Sequence, residues 1–479
     1  MSEERDAAAR FSAYVVEALA GVIGHADREK PLSDYCRGLL TPCERKSVEP
    51  LAAITAPERT SAQHQSLLHF VGAGGGSDED VLAKVRELVL PAIERMAPIE
   101  AWILDDTGFP KKGTHSVGVA RQYCGQLGKQ ENCQVAVSLS LANAHASLPV
   151  AYRLYLPQDW AADAERREET HVPEDVEFKT KPEIALKQIR AALAAGLPRG
   201  VVLMDAGYGV NSEFRARISK LGLQYVAGVL PTTTVWPPGL EPLPAKPWTP
   251  GHGRPTKRLR RDDEHQPVSA KALALGLPNK AWRTISWRQG TNAKLRSRFA
   301  RLRVRPAHLD YQRSEPWPEQ WLLIEWPRGE KEPTKYWLST LPANIGFAAM
   351  VRMTKLRWRI ERDYQELKQE IGLGHFEGRG WRGFHHHATL CIAAYGFLIC
   401  ERQAIPPSGP RLAARRQAPS VPRGPRSGPS AAANRTSHAQ LDRHHAAKAE
   451  RRRRSSPAKM SMLRSAVQTG AHGVQFMTQ

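Results

Sequence analysis

From residue 9 to residue 95 apolar positions recur every three or four residues, as in FSAYVVEALAGVI, QHQSLLHFVGA and DVLAKVRELVLPAIERM, a spacing that predicts amphipathic helices. Ser77 and Asp80 stand ahead of the last run as an N-terminal cap, with Asp in the place usually held by Glu. The period then shortens. AWILDD at 101–106, QVAVSLSLA at 134–142 and PVAYRLYL at 149–156 predict strands, the last two joined by NAHAS as a hairpin. PEIALKQIRAALAA at 182–195, closed by Gly196 and Pro198, predicts a helix that leads into a strand within GVVLMDAG at 200–207. A helix near 211–221, capped by Asn211, and a strand near 224–229 complete this stretch.

The order β-β-β-α-β-α-β matches that of a ribonuclease H-like fold, in which three antiparallel strands precede strands joined by helical crossovers. In such a sheet the acid that ends the first strand and Asp205, which ends the fourth, are neighbours. Residues 231–343 are rich in Pro and Trp and carry the candidate strands RTISWR, RFARLRVR, WLLIEW and KYWLST. A long helix is predicted from Asn344 to about residue 371, with Met353, Leu356, Ile360, Tyr364, Leu367 and Ile371 as its apolar stripe. FHHHATLCIAAYGFLIC at 384–400 supplies a second apolar run that closes the core. The expected α/β architecture is therefore a helical N-terminal domain (1–97), a ribonuclease H-like core (98–230 and 344–404), an inserted β-rich subdomain (231–343) and a disordered basic C-terminal tail (405–479).

Composition narrows the class. With 479 residues, 41% of them hydrophobic, the chain can bury a large core, and it holds no run of about 18 apolar residues. Its acidic, amphipathic N-terminus is unlike a signal peptide, so a soluble intracellular protein without a membrane partner is expected. The six cysteines form no CxxC pair and read as buried thiols. The formal net charge of +21 favours a polyanionic partner, although residues 405–464, with 14 Lys and Arg against two acids, carry +12 of it.

Candidate chemistry sits on the 344–371 helix. In RWRIERDYQELKQE, Arg357, Glu361 and Lys368 fall on one stripe beside the apolar face. That arrangement suits a site gripping metal-bound phosphates, and it also suits a solvated face of ion pairs. The spacing R-(3)-E-(6)-K resembles the box Y-(2)-R-(3)-E-(6)-K of the DDE transposases of bacterial insertion sequences, in the branch with a β insertion before the glutamate, the insertion-sequence-four superfamily. Thr354 stands where that box has Tyr. Together with DDTGFPKKG and DAGYG, the resemblance covers roughly residues 10–403.

The resemblance implies that Asp106, Asp205 and Glu361 bind two Mg²⁺ ions, with Mn²⁺ as a substitute, and that Arg357 and Lys368 grip DNA phosphates. Strand alternation allows only one acid of the Asp105–Asp106 pair onto the active face. In that family the metal aspartate is followed by a small or hydroxyl residue, a pattern that Asp106 before Thr107 fits. Lys111 and Lys112, just past the Gly-Pro turn, are candidate phosphate contacts.

The implied activity is cleavage of double-stranded DNA at element ends and joining of the freed 3′-hydroxyl to target DNA. A homodimer would do this in a synaptic complex, in the bacterial cytoplasm with the nucleoid. A catalytically silent DNA-binding descendant and a stand-alone nuclease of the same fold are the other readings. Weaker signals are the FHHH run, read as capping or packing groups, and Arg254 in GRPTKRLRR, a minor-groove hook or a solvated loop. Trp287, Trp321, Trp326 and Trp337 read as core packing or as a platform for a flipped base, and Arg451–Arg454 as a nonspecific DNA contact.

Overall fold

The computed structural model describes residues 2–247, 257–290 and 293–404. Arg254 and the basic tail, including Arg451–Arg454, lie outside the described residues.

The predicted β-type runs become β1 (Ala101–Pro110), β3 (Lys129–Ala142), β4 (Ser147–Leu154), β5 (Val201–Met204) and β6 (Tyr225–Val229). β3 pairs antiparallel with both β1 and β4, while β5 lies parallel to β1 and β6 parallel to β5. The spatial order β4-β3-β1-β5-β6 is that of a ribonuclease H-like core. One further strand, β2 (Ala120–Cys124), pairs with the first residues of β3. Its sequence ARQYC shows no apolar alternation, because only Cys124 of this strand is buried.

β1 and β5 are in register only from Ala101↔Val201 to Ile103↔Leu203. β5 ends at Met204 while β1 runs on to Pro110, and the carboxyl ends of such strands are where α/β sheets commonly place ligands.

The insertion does not form a separate sheet. Its strands are β7 (Thr234–Trp236), β8 (Val268–Ser269), β9 (Arg283–Gln289), β10 (Lys294–Pro306), β11 (Gln320–Trp326) and β12 (Lys335–Ser339). β12 bonds antiparallel to β6, and β11 and β10 follow, so the core sheet continues through the insertion. Val229 at the end of β6 packs with Val304, Leu322, Ile324, Tyr336 and Leu338 in a satellite core. The tryptophans hold this extension in place. Trp287 and Trp337 flank the Lys355 ammonium at 4.6 and 5.4 Å, and Lys355 is paired with the buried Glu325 at 2.6 Å. Trp321 and Trp326 donate their indole N–H groups to the carbonyls of Pro342 and Glu330.

The helix Trp381–Ala404 is apolar around most of its circumference, and such a helix belongs at the centre of a fold. The N-terminal helices Glu29–Leu40, Thr60–Gly72 and Asp78–Glu94 pack against it. One continuous apolar core joins them to the sheet. Arg10 clasps Glu401 with two bonds of 2.6 and 2.8 Å, and the Ser77 hydroxyl accepts from Asp80 N–H as the cap reading expects.

The three histidines of FHHH are packing groups. His385 Nε2 accepts from Leu154 N–H at 3.1 Å, His386 Nδ1 meets Asp78 at 2.6 Å, and His387 Nδ1 meets the Tyr35 hydroxyl at 2.8 Å. Burial pushes the His385 and His387 imidazoles down to about 4. Both are thus neutral in the fold, whereas an unfolded chain protonates them near pH 6.5. Their contribution to stability is present above about pH 6.5 and is lost as the pH falls towards 4. Asp363, raised to about 7 by its own burial, contributes the opposite slope. Ring-proton NMR is therefore the clean readout. His385 and His387 should show no titration between pH 7.5 and 5.5, and a midpoint near 6.5 for either would contradict the packing.

Candidate active site

The helix predicted from Asn344 to residue 371 is broken. It runs as Phe347–Lys355, turns at Leu356 and Arg357, resumes as Trp358–Gln365 and ends in wider turns over Glu366–Ile371. The apolar stripe still holds, since Leu356, Ile360, Tyr364, Leu367 and Ile371 are buried. Arg357, at this turn, keeps helical dihedrals and reaches Asp105 of β1 and Asp205 just past β5.

Three carboxylates gather around that guanidinium. Nη2 donates to Asp105 Oδ1 at 2.8 Å and lies 3.9 Å from Asp205 Oδ2, while Nη1 lies 3.9 Å from Glu361 Oε1. Side-chain exposure rises along the set from 13% for Asp105 through 43% for Asp205 to 68% for Glu361, so the site opens to solvent on the Glu361 side. Asp205 immediately follows β5 and caps the short turn Ala206–Gly209, accepting from Tyr208 N–H at 3.3 Å.

The two adjacent acids meet different partners. Alternation does place them on opposite sides of β1, but Asp105 is the one on the side of Arg357, Asp205 and Glu361. Asp106 points to the other layer and pairs at 2.5 Å with Lys181, the first residue of the helix Lys181–Ala194. Thr180 and Glu183 form a complete capping box that fixes Lys181 there. Sequence reasoning passed over Lys181, although Thr-Lys-Pro-Glu carries that cap signature. Its pairing with Asp106, 75 positions earlier, had no local signal.

Burial raises the Asp105 carboxyl to about 7; Arg357 opposes the shift, and the negative charges of Asp205 and Asp106 add to it. For Arg357 burial acts against the charge, but Asp105, Asp205 and Glu361 outweigh it and the guanidinium pKa is raised. The donors are all carboxylate oxygens, the hard ligands that Mg²⁺ and Mn²⁺ favour, and a divalent cation would relieve the crowding of negative charge. The donor set fits such an ion in kind. Among the described residues, however, no three carboxylate, His or Cys groups stand close enough together to hold one directly, because the acids are spaced around Arg357.

The expected lysine contacts change as well. Lys368 Nζ donates to Gly108 carbonyl at 2.5 Å and to Gln126 Oε1 at 3.2 Å, and burial lowers its pKa to about 8. In this structure it fastens the last turns of the helix to β1. Lys111 donates to Phe376 carbonyl at 2.9 Å, and burial lowers its pKa too. It ties the turn after β1 to the segment that follows the wide turns. Of the expected pair, Lys112 is the one left exposed. Thr354, at the Tyr position of the box, is buried and bonds Met350 carbonyl within its own helix.

The ribonuclease H-like sheet thus brings together acids from three separate elements, with Asp105 within β1, Asp205 just past β5 and Glu361 on the helix Trp358–Gln365. A family model described as DDE superfamily endonuclease matches residues 18–294, more than half of the chain, and the chain belongs to that family. The match includes Asp105, Asp106 and Asp205 and ends before Glu361. The family implies a divalent metal. The chain is also 28% identical, over 193 residues, to a probable transposase for insertion sequence element IS701 from Microchaete diplosiphon. That alignment covers 40% of this chain and 46% of the relative, so the chain spans about half the length of the curated relative it matches. Among the described residues no helix is long and apolar enough to cross a membrane.

Proposed function

We propose that this protein is a transposase of an insertion sequence. In this reading it binds the terminal inverted repeats of its element, cuts double-stranded DNA at the element ends and joins the freed 3′-hydroxyl to target DNA. The observation that carries the reading is the convergence of Asp105, Asp205 and Glu361 on Arg357. Asp105, in place of Asp106, is assigned to the catalytic set with Asp205 and Glu361.

Two Mg²⁺ ions held by these carboxylates, with Mn²⁺ as a substitute, would activate the attacking hydroxyl and neutralise charge on the leaving oxygen. The chain's own residues prepare the rest. Asp105 is fixed by the pairing of β1 with β3, where it stands opposite Ser138, whereas Glu361 stands on the exposed helix face where substrate enters. Arg357 offers a planar donor fork matched to a phosphodiester. Lys112 lies exposed beyond the end of β1 and is assigned a backbone phosphate. End recognition is assigned to the N-terminal helices. Bringing two element ends together requires two copies of the chain, so a homodimer in the bacterial cytoplasm, at the nucleoid, is the proposed working form.

The test uses the purified full chain and a duplex bearing the inverted repeats that flank its gene, with Mg²⁺, with Mn²⁺ and with EDTA. Binding in all three conditions, with nicking and strand-transfer product only where metal is present, is the expected result. Nicking that survives EDTA, or a Glu361→Gln variant that cleaves at the wild-type rate, would overturn the proposal.

A further inference from the structure

We propose that Arg357 is an internal counter-ion that closes the carboxylate site to divalent cations until a DNA phosphate takes over its guanidinium. The inference rests on the reading that the substrate is DNA and that Asp105, Asp205 and Glu361 take metal. It concerns the order in which the two arrive.

Arg357 stands at the tight turn between the helices Phe347–Lys355 and Trp358–Gln365, and it keeps i,i+4 spacing to Glu361. Its fork already occupies Asp105 Oδ1 and stands within 4 Å of an oxygen from each of the other two acids. A metal ion would need the same oxygens. A guanidinium and a divalent cation repel each other at such range, so the two compete for the Asp105 carboxylate. The acids are accordingly spread around the arginine instead of being drawn into a chelating group among the described residues.

The hold of Arg357 on the site is also incomplete. Its buried Nε–H has no hydrogen-bond partner, so only part of the fork is satisfied by protein. A phosphodiester supplies two acceptor oxygens in the bidentate geometry that a guanidinium prefers. Arg357 swung outward to a phosphate exchanges one hydrogen bond to Asp105 and two 3.9 Å contacts for a matched pair, and releases Asp105 to the metal. Linkage makes the effect reciprocal, with DNA tightening metal binding and metal tightening DNA binding by the same factor.

The experiment measures Mn²⁺ binding by loss of the free-ion electron paramagnetic resonance signal, with the duplex-alone background subtracted. The full-length wild type, Arg357→Gln and Arg357→Lys are each titrated with and without the inverted-repeat duplex. Without DNA, Arg357→Gln should bind Mn²⁺ roughly tenfold or more tightly than the wild type, because one positive charge has left the site. Arg357→Lys keeps the charge and should stay near the wild type. Duplex should tighten Mn²⁺ binding to the wild type and leave Arg357→Gln unchanged. Equal Mn²⁺ affinity of wild type and Arg357→Gln overturns the proposal. If Arg357→Gln does not fold, wild-type affinity that is indifferent to duplex overturns it alone. Wild-type nicking alongside either negative result leaves the transposase reading standing. Absence of both Mn²⁺ binding and nicking with duplex present sinks both.

Discussion

Asp105→Asn is expected to abolish metal-dependent nicking while Asp106→Asn retains most of it. Asp105 is the buried member of the set gathered on Arg357, and an amide there keeps a hydrogen-bond acceptor for the guanidinium but removes the charge a divalent cation needs. Losing about 4 kcal/mol of transition-state charge stabilisation corresponds to a rate loss of roughly 10³-fold. Asp106 faces the opposite layer and pairs with Lys181, both side chains being about 30% exposed. Its neutralisation should cost on the order of 1 kcal/mol of stability or less. Cleavage by Asp106→Asn should remain within about tenfold of the wild type, that is, within about 1.4 kcal/mol in the barrier. Single-turnover nicking at matched protein concentration, with melting curves to confirm folding, decides the matter. The converse pattern would return the catalytic role to Asp106.

The second large effect is structural. Gly209→Ala should destabilise the fold by about 3 kcal/mol and displace Asp205 with it. A Cβ at Gly209 would run into the carbonyl oxygen of Gly228, and it would also stand 3.1 Å from Ala227 Cβ. Neither obstacle is the end of a flexible side chain. Gly228 is in β6, in register with Trp337 of β12, so moving its carbonyl disturbs the junction through which the insertion joins the core sheet. From the other side a Cβ on Gly228 would stand 2.9 Å from Ala206 N and 3.0 Å from the Asp205 carbonyl carbon. The turn bearing Asp205 and the middle of β6 therefore touch backbone to backbone, which is a reason for glycine at both places. Urea denaturation should show a lower midpoint with an unchanged slope for Gly209→Ala. A wild-type midpoint would mean that the two segments have room between them.

Much of this site was legible beforehand, in specific places. The short strands and the order of elements were visible because β-type runs and helical spacing leave different imprints. Asp205 and Glu361 were legible as candidates since each sits in a motif with fixed spacing. DAGYG could be matched as a string, but its second glycine has a physical cause only once β6 is placed against it. The continuous helix expected from Asn344 was not found, because the apolar stripe persists across the break at Leu356 and Arg357 and hides it. Lys111 and Lys368 looked available to DNA since no sequence pattern shows which backbone carbonyl a lysine will meet.

The Asp105–Asp106 choice shows the division most clearly. That only one acid can face Arg357 follows from the two-residue period of a strand, and the sequence by itself determined that much. Which one does so depends on which layer lies over which face of β1. Ile103 and Leu104 are both fully buried, so the strand is covered on both sides and reads as a continuous apolar run with no solvent face to orient it. The decision came from partners far along the chain, with Lys181 reaching Asp106 across 75 positions and Arg357 reaching Asp105 across 252. Local periodicity fixes elements and their alternation. Only the packing of those elements sets the sign of each face, because that is where distant charges find their counter-ions.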